Sequence, residues 1–538
     1  MDSMLKKIHM LNEIGIALSA EKNNQRVLEI ILNGAKKLTN ADGGSLYTVS
    51  DDKQLVFEIV STDSLDIVMG GTSGNTIDFP HLPLFVDGHE NLSMVVTSAV
   101  INHETINIAD AYHAEGFDFS GTREFDHQTG YRTRSILTVP MKNHEADIIG
   151  VLQLINSINE KTGDVEEFSK EDEKLAESLA SQAAVALTNK RLIDEQKVLF
   201  ESFIKLIATA IDEKSPYTGW HCKRLPELTM MIAEACDQSN DGPLQEFSMQ
   251  EKDCYELMIA GWLHDCGKVT TPEYVIDKAT KLETIYDRIQ TIDMRFEILK
   301  RDADLEFFQS RVQLEASDDL DQLDKIEKAY SEKMQQYNLD QAFLRKVNIG
   351  GEFMTEEDQQ RVRDISKYQF ANSDEDNVDF LTEDEVANLC IAKGTLTSAE
   401  RQIINNHISV TIKMLDDLPF PKHLKNVPEY AGGHHERMDG KGYPKGLTRD
   451  QMSWPARMMA IADIFEALTA RDRPYKETKT LNECLNILGR MKLDNHIDPD
   501  IFHVFVKNKV YLKYAEKFLT ADQVGEVDHA KIPGYQGE

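Results

Sequence analysis

The sequence predicts a multidomain chain: an α/β module over residues 1–187, then a helical module that carries a helical insertion. Three observations predict it. The 538 residues suffice for two or three domains. Strand-like segments at Ser45–Val49, Leu55–Val60, Ser135–Val139 and Ile148–Ile155 sit between helical patterns. Around Leu263, His407 and Asp463, and again over residues 285–337, apolar residues recur at helical spacing instead.

In the first module an amphipathic helix carrying Ile8, Leu11, Gly15 and Leu18 opens the chain, and a second spans about Val27 to Leu38. The order helix, strands, helix predicts a sheet packed against helices. Residues 188–212 then read as a helical linker. Leu192, Leu199, Phe203, Leu206 and Ala210 are spaced by 7, 4, 3 and 4, the a/d seam of a short coiled coil that suits a parallel homodimer.

Residues 213–515 form the second module, and the chemistry concentrates there. Leu263-His264-Asp265-Cys266-Gly267-Lys268 follows an apolar stretch. Far downstream stands His434-His435-Glu436-Arg437-Met438-Asp439-Gly440-Lys441-Gly442-Tyr443-Pro444. On a helix, neighbouring residues project about 100° apart, so His264 with Asp265, and His434 with His435, can serve one or two ions from one segment. A carboxylate such as Asp265 can bridge two metals through its two oxygens. His221 opens a helix after a turn, His407 sits on an amphipathic helix beginning near Thr397, and Asp463 is a carboxylate within an apolar helical segment. Burying that charge unpartnered costs several kcal/mol, which calls for a cation beside it. Lys268, one turn beyond His264, reaches a substrate phosphate from the same face. Gly440 and Gly442 let a loop approach a ligand closely, and Pro444 fixes its exit.

These stretches resemble the HD-GYP phosphodiesterases, a branch of the HD superfamily that hydrolyses cyclic di-GMP. The matching text also includes Tyr217-Thr218, Arg224, Lys393-Gly394-Thr395-Leu396-Thr397, Gly446-Leu447, Pro455-Ala456-Arg457, Ala467-Leu468-Thr469, Arg473-Pro474-Tyr475 and Asp498-Pro499. The resemblance covers roughly residues 200–282 and 393–515. It implies an all-α domain in which His221, His264, Asp265, His407, His434, His435 and Asp463 hold two divalent transition metal ions, iron or manganese, with Asp265 bridging. It implies that Lys268 holds the scissile phosphate and that Arg437 and Lys441 place the guanine nucleotide or its phosphates. Some members bind a third metal through a glutamate four residues before the first histidine. Tyr217 stands at that position here, so two metals are expected.

The first module resembles a GAF domain, a small-molecule sensor. Ile106-Asn107-Ile108-Ala109-Asp110-Ala111-Tyr112, Phe125-Asp126, Thr129-Gly130-Tyr131-Arg132-Thr133, Val139-Pro140-Met141 and Gly150-Val151-Leu152-Gln153-Leu154-Ile155-Asn156 carry the likeness. A cyclic-nucleotide-binding signature is approximated by Asn159-Glu160-Lys161, Phe168 and Asp172-Glu173, with Glu160 inserted. Their bland alternatives are core for Phe168 and a solvated helix start for the acidic pair.

Residues 283–392 depart from the family as an insertion. Ile285, Ile289, Ile292, Phe296 and Leu299 recur at 4, 3, 4 and 3, and Leu323, Ile326, Tyr330, Met334 and Tyr337 form a returning arm. The pattern predicts a projecting helical hairpin, then an acidic, less ordered stretch around Ser373 to Asp379. Decoration, a lid, a dimerisation arm and a partner-docking site all remain open. Residues 516–538 are read as a tail.

The 59 Lys and Arg against 92 Asp and Glu give a formal net charge of −33, which argues against binding nucleic-acid polymers or anionic membranes. Arg437, Lys441, Lys445, Arg473 and Lys476 must attract an anionic substrate locally. Cysteines at 222, 236, 254, 266, 390 and 484 show no CxxC pairing, in keeping with a reduced, cytoplasmic setting. No apolar run approaches a membrane span. The expected function is hydrolysis of cyclic di-GMP to linear pGpG and/or GMP under GAF control. Alternatives are hydrolysis of cyclic GMP-AMP, a non-hydrolytic cyclic dinucleotide receptor, and an HD hydrolase of other phosphoesters.

Overall fold

The computed structural model describes all residues except 1, 215–219, 241, 316–319, 352, 372–376, 472–477 and 537–538. The chain divides into two compact units, Met1–Phe200 and Glu201–Glu538.

In the first unit helices Asp2–Ala20 and Asn24–Thr39 precede an antiparallel sheet. Its main strands run in the order Ile67–Gly70, Gln54–Thr62, Ala41–Val49, Ile148–Ile158, Ile136–Lys142, Ile106–Ile108. The four strands expected from sequence are the four long ones, because alternation over long apolar runs is what a half-buried strand requires. The short edge strands lack that length. Leu28, Ile31, Leu32 and Leu38 from the second helix pack on Leu46, Leu152 and Leu154 of the sheet, and Ala176, Leu179 and Ala183 of the closing helix complete the core. Phe168 belongs to this core at 3 % exposure. Asn159 accepts the Lys161 and Thr162 amides in a turn, and Asp172 accepts from Lys7 and Ser169. Of the residues approximating a nucleotide signature, Phe168 is core, and Asn159 and Asp172 make local structural contacts.

A helix of 43 residues, Lys170–Asp212, ends the first unit and enters the second. Leu192, Leu199, Phe203 and Leu206 are exposed along it.

The second unit is mainly helical. The insertion folds as a subdomain with its own core rather than as a bare arm. Helices Ile289–Glu315 and Leu320–Asn348 form the hairpin, and Ile292, Phe296, Leu299, Tyr337 and Leu344 pack with Val362, Phe380 and Leu389. Two expectations are corrected here. Ile285 is 99 % exposed, lying in a turn closed by the Glu283–Asp287 bridge before the helix starts. Residues 377–379 of the acidic stretch form a strand paired antiparallel with Gln369–Ala371, so the second unit is not purely α. Backbone pairing orders these three residues despite their polarity; residues 373–376 lie outside the described residues. At the subdomain's base, buried Lys278 reaches Asn388 (2.7 Å) and Glu400 (2.8 Å). Lys281 donates to the Leu389 carbonyl at 2.8 Å.

Among the described residues no helix is long and apolar enough to cross a membrane, and all six cysteines are free.

Candidate metal centre

Five helical segments deliver the site. His221 is the first residue of helix His221–Asp237, which packs on helix Trp454–Thr469, the carrier of Asp463. Helix Glu251–Leu263 ends one residue before His264, and Asp265 caps the following 3-10 turn Cys266–Thr270. The apolar periodicity therefore stops short of the motif, and His264, Asp265 and Lys268 are displayed by a turn rather than along one helix. Gly267 explains the turn. A Cβ there would lie 2.0 Å from the His407 carbonyl and 2.6 Å from the Thr411 amide, so only glycine lets this turn rest on the first turn of helix His407–Asp416. His407 is reached by helix Ser398–Asn405, capped by Thr397, and the helix breaks at Asn406. His434 and His435 follow helix Val427–Gly432, whose N-terminal Asn426 is held by both oxygens of buried Glu256 (2.6 and 3.0 Å).

The structure brings all seven expected ligands together. His221 Nε2 is 3.0 Å from His264 Nε2, 3.5 Å from Asp265 Oδ2 and 3.4 Å from Asp463 Oδ1. His264 Nε2 is 3.1 Å from Asp265 Oδ2, while His407 Nε2 is 3.1 Å from Asp265 Oδ1. The ring of His434 meets those of His264 and His435 at centroid distances of 5.0 and 4.3 Å. Two sets of ligand atoms result: His221, His264 and Asp265, and His407, His434 and His435, the atoms of each set within 4.8 Å of one another.

The outer sides of the rings are occupied. His264 Nδ1 lies 2.8 Å from the Gly261 carbonyl, His434 Nδ1 2.6 Å from that of Ala431, and His407 Nδ1 contacts that of Ile404. His221 Nδ1 is 2.6 Å from Glu466 Oε2. A carbonyl accepts only from N–H, so in His264, His407 and His434 these contacts place the proton on Nδ1 and leave Nε2 as a lone-pair donor facing inward. Three buried atoms, Asp265 Oδ1, His407 Nε2 and His434 Nε2, have no hydrogen-bond partner. Orphaned lone pairs in a buried site are what a cation would satisfy, and five imidazoles with two carboxylates are the nitrogen and oxygen donors that first-row divalent ions accept. The residues fit a metal.

Charge reinforces this. Burial works against ionising Asp265 and Asp463, yet the surrounding histidines, with Lys268 beside Asp265, hold both well below the usual carboxylate range. Burial and neighbouring imidazoles push His434 well down, and burial pulls His435 down to about 4, so both rings are neutral donors. Burial also opposes a positive charge at His221, but Glu466, Asp265 and Asp463 outweigh it and raise it to about 10, a field that would equally favour a metal cation in place of the Nε2 proton.

Lys268 Nζ donates to Asp265 Oδ2 at 2.5 Å. Arg437 forms a fork with Asp439 (3.0 Å twice) and donates to the Asp494 carbonyl (3.1 Å), whereas Lys441 is exposed, 3.5 Å from Asp439. Lys445 lies in the same loop, its amide donated to Glu436. Arg473, Lys476 and the Tyr217 position lie outside the described residues. Sequence reasoning left four residues without a role. Buried Glu466 accepts from Arg224 Nε at 2.7 Å as well as meeting His221; its spacing of three from Asp463 in an apolar helix was the available signal. Buried Glu436 accepts the Lys445 and Leu447 amides (2.7 and 2.9 Å) and shapes the loop. Tyr443 stacks on His435 at 4.9 Å and 21°. Thr411 Oγ1 accepts the Gly267 amide at 2.9 Å.

Residues 383–501 match the HD domain family and residues 23–187 the GAF domain family. The chain carries a GAF domain followed by an HD domain. The HD match begins beyond most of the insertion, so His221, His264 and Asp265 join the site by geometry. Among curated relatives, a 3′3′-cGAMP-specific phosphodiesterase 1 of Vibrio cholerae is 46 % identical over 15 % of this chain and 19 % of its own length. Phosphodiesterase 3 of the same description and organism is 37 % identical over 23 % of this chain and 26 % of its own. A cyclic di-GMP phosphodiesterase of Thermotoga maritima is 32 % identical over 27 % and 40 %. The matches thus span from about a fifth to two fifths of those relatives. A GAF domain structure from a Coxiella burnetii phosphotransferase aligns with a TM-score of 0.28 and 17 % identity, over 36 % of this chain and 99 % of that one.

Proposed function

We propose that this chain is a metal-dependent phosphodiesterase that opens cyclic di-GMP to linear pGpG and/or GMP, regulated by its GAF domain. The observation that carries the reading is the placement of Asp265, whose two oxygens lie against separate sets of imidazoles. His221, His264, Asp265, His407, His434, His435 and Asp463 would hold two divalent ions, iron or manganese, with Asp265 shared between the two sets of ligands. When bound, such a pair supplies Lewis acidity and a lowered water pKa for attack on phosphorus.

The chain's own groups do the rest. Lys268 carries an ammonium with one proton directed to Asp265 and others available to the scissile phosphate. Glu466 and the Gly261, Ile404 and Ala431 carbonyls fix the imidazole orientations. Arg437, steadied by Asp439, and exposed Lys441 give the Gly442-Tyr443-Pro444 loop positive charge for the nucleotide's phosphates. Hydrolysis breaks one P–O3′ bond and leaves a 5′-phosphate and a 3′-hydroxyl. The relatives named for 3′3′-cGAMP keep cyclic GMP-AMP as the second substrate to assay. We further propose that two copies of the chain meet along the exposed Leu192, Leu199, Phe203 and Leu206 stripe, and that a small molecule in the GAF domain acts on turnover.

The test is anaerobic purification, elemental analysis and mass-spectrometric identification of products from both cyclic dinucleotides. Two metals per chain and a linear product are expected. A fully metallated protein that binds but hydrolyses neither compound would make it a receptor.

A further inference from the structure

A cavity of about 440 Å³ opens between the end of the insertion and helix Ser398–Asn405. Ile391 and Leu396 give it aliphatic walls, and Lys393, Ser398 and Arg401 supply polar groups. Its two sides are pinned together by buried Lys278, which reaches Asn388 on the insertion and Glu400 on the helix. Arg401 Nη2 lies 3.8 Å from the place a Cβ would take on Gly394, a residue at φ +77°. Among the described residues neither the Lys393 nor the Arg401 side chain has an ion-pair or hydrogen-bond partner, although the chain carries a formal charge of −33. An unpaired guanidinium beside a lysine, at an open and largely polar cavity in which Ile391 and Leu396 offer aliphatic contacts, is arranged for a flat ring that presents hydrogen-bond acceptors.

The helix that lines the cavity leads into the metal centre. Asn406 caps both the end of this helix and the start of the next, which begins with His407. Five residues separate Arg401 from His407.

We infer that this cavity takes a guanine base of the cyclic dinucleotide, its faces against Ile391 and Leu396 and its O6 and N7 accepting from Arg401, so that the insertion's last segment is a specificity wall of the active site. The inference rests on the phosphodiesterase reading and adds base selection to it. Arginine matches the two acceptors of guanine; adenine replaces O6 by an amino donor and cannot accept the same fork.

The experiment compares the metal-loaded full chain with Arg401→Ala and Arg401→Gln, with metal content as the control for folding. KM and kcat are measured for cyclic di-GMP and cyclic di-AMP, and GMP and AMP binding by calorimetry. Arg401→Ala is expected to raise KM for cyclic di-GMP about tenfold or more, with a smaller change in kcat, and to weaken GMP but not AMP. Arg401→Gln is expected to move the preference toward the adenine compound, since glutamine pairs with adenine N6 and N7. A cyclic di-GMP KM within twofold of wild type in Arg401→Ala overturns the inference. An equal loss with cyclic di-AMP also overturns it, by assigning Arg401 to phosphates. If the wild type hydrolyses no dinucleotide, the functional reading fails by itself, and the selective loss of GMP binding still decides the cavity.

Discussion

Asp265 Oδ1 lies 3.1 Å from His407 Nε2, and neither atom has a hydrogen-bond partner. The other oxygen of the same carboxylate meets His221, His264 and Lys268. One side chain thus joins two ligand sets that come from segments more than 140 residues apart. Asp265→Ala is therefore expected to remove most bound metal and to abolish phosphodiester turnover, while the GAF domain keeps its own thermal transition. Elemental analysis with calorimetry reads this. Full turnover by a metal-free Asp265→Ala protein would sink the bridging assignment.

Glu466 touches His221 and Arg224 and is 1 % exposed. It acts on the centre by orienting His221, and outer partners of this kind are worth about 10- to 100-fold in metal affinity. Glu466→Gln should lower affinity by that order, measured by competition with a chelator, and Glu466→Asp should restore little because the carboxylate is drawn back. Unchanged affinity in Glu466→Gln would remove Glu466 from the site's support.

Gly267→Ala places a methyl group where the His407 carbonyl and Thr411 backbone now stand. Overpacking of a rigid backbone contact costs about 1–3 kcal/mol. The expected outcome is a lower unfolding temperature of the HD domain together with reduced metal content, as the His264–Lys268 turn is pushed off the His407 helix. A variant with wild-type metal content and melting behaviour would show that the contact yields easily.

Much of this site was legible because histidine and aspartate dipeptides carry their chemistry locally: the types and spacing of His264-Asp265 and His434-His435 point to ligands before any fold is known. What local sequence could not show was set by tertiary contact. The helix before His264 ends at Leu263 because Gly267 must meet the His407 helix. Ile285 fits a helical period and is nevertheless exposed because a bridge between Glu283 and Asp287 turns the chain there. Glu466 and Glu436 acquire meaning only through what crosses them, His221 and Arg224 in one case and two loop amides in the other. In the first domain the long strands declared themselves by alternation, whereas Ile106–Ile108, three residues long, depends on its neighbour at Ile136–Lys142.

Lys281 gives the insertion a pH dependence. It is 2 % exposed, and burial lowers its ammonium to about 8. Below that pH both folded and unfolded chains hold the proton, and the cost of a buried charge is fully present. Between about 8 and the ordinary lysine range near 10.4 the unfolded chain alone holds it, so stability rises with pH across that window. The gain is on the order of 3 kcal/mol by the usual conversion. Melting curves at pH 7.5 and 10 should show a relative gain for wild type that Lys281→Met lacks. Parallel shifts in both proteins would place the titration elsewhere.

The last prediction concerns the helix Lys170–Asp212, in which Leu192, Leu199, Phe203 and Leu206 are 48, 57, 56 and 63 % exposed. Four large apolar side chains at heptad-like spacing on one helix lose their water contact most readily against a second copy of the same stripe. Leu199→Glu with Leu206→Glu is expected to convert a dimer to a monomer in light scattering, with metal content retained. The helix is also continuous between the two units, so a GAF ligand that favours one state can alter turnover only by its differential affinity, typically about 5- to 150-fold. Two residues inserted after Asp194 rotate the following stripe by about 200° and should weaken that response while basal hydrolysis by the HD domain persists. An identified GAF ligand that changes activity equally with and without the insertion would refute transmission through a rigid helix.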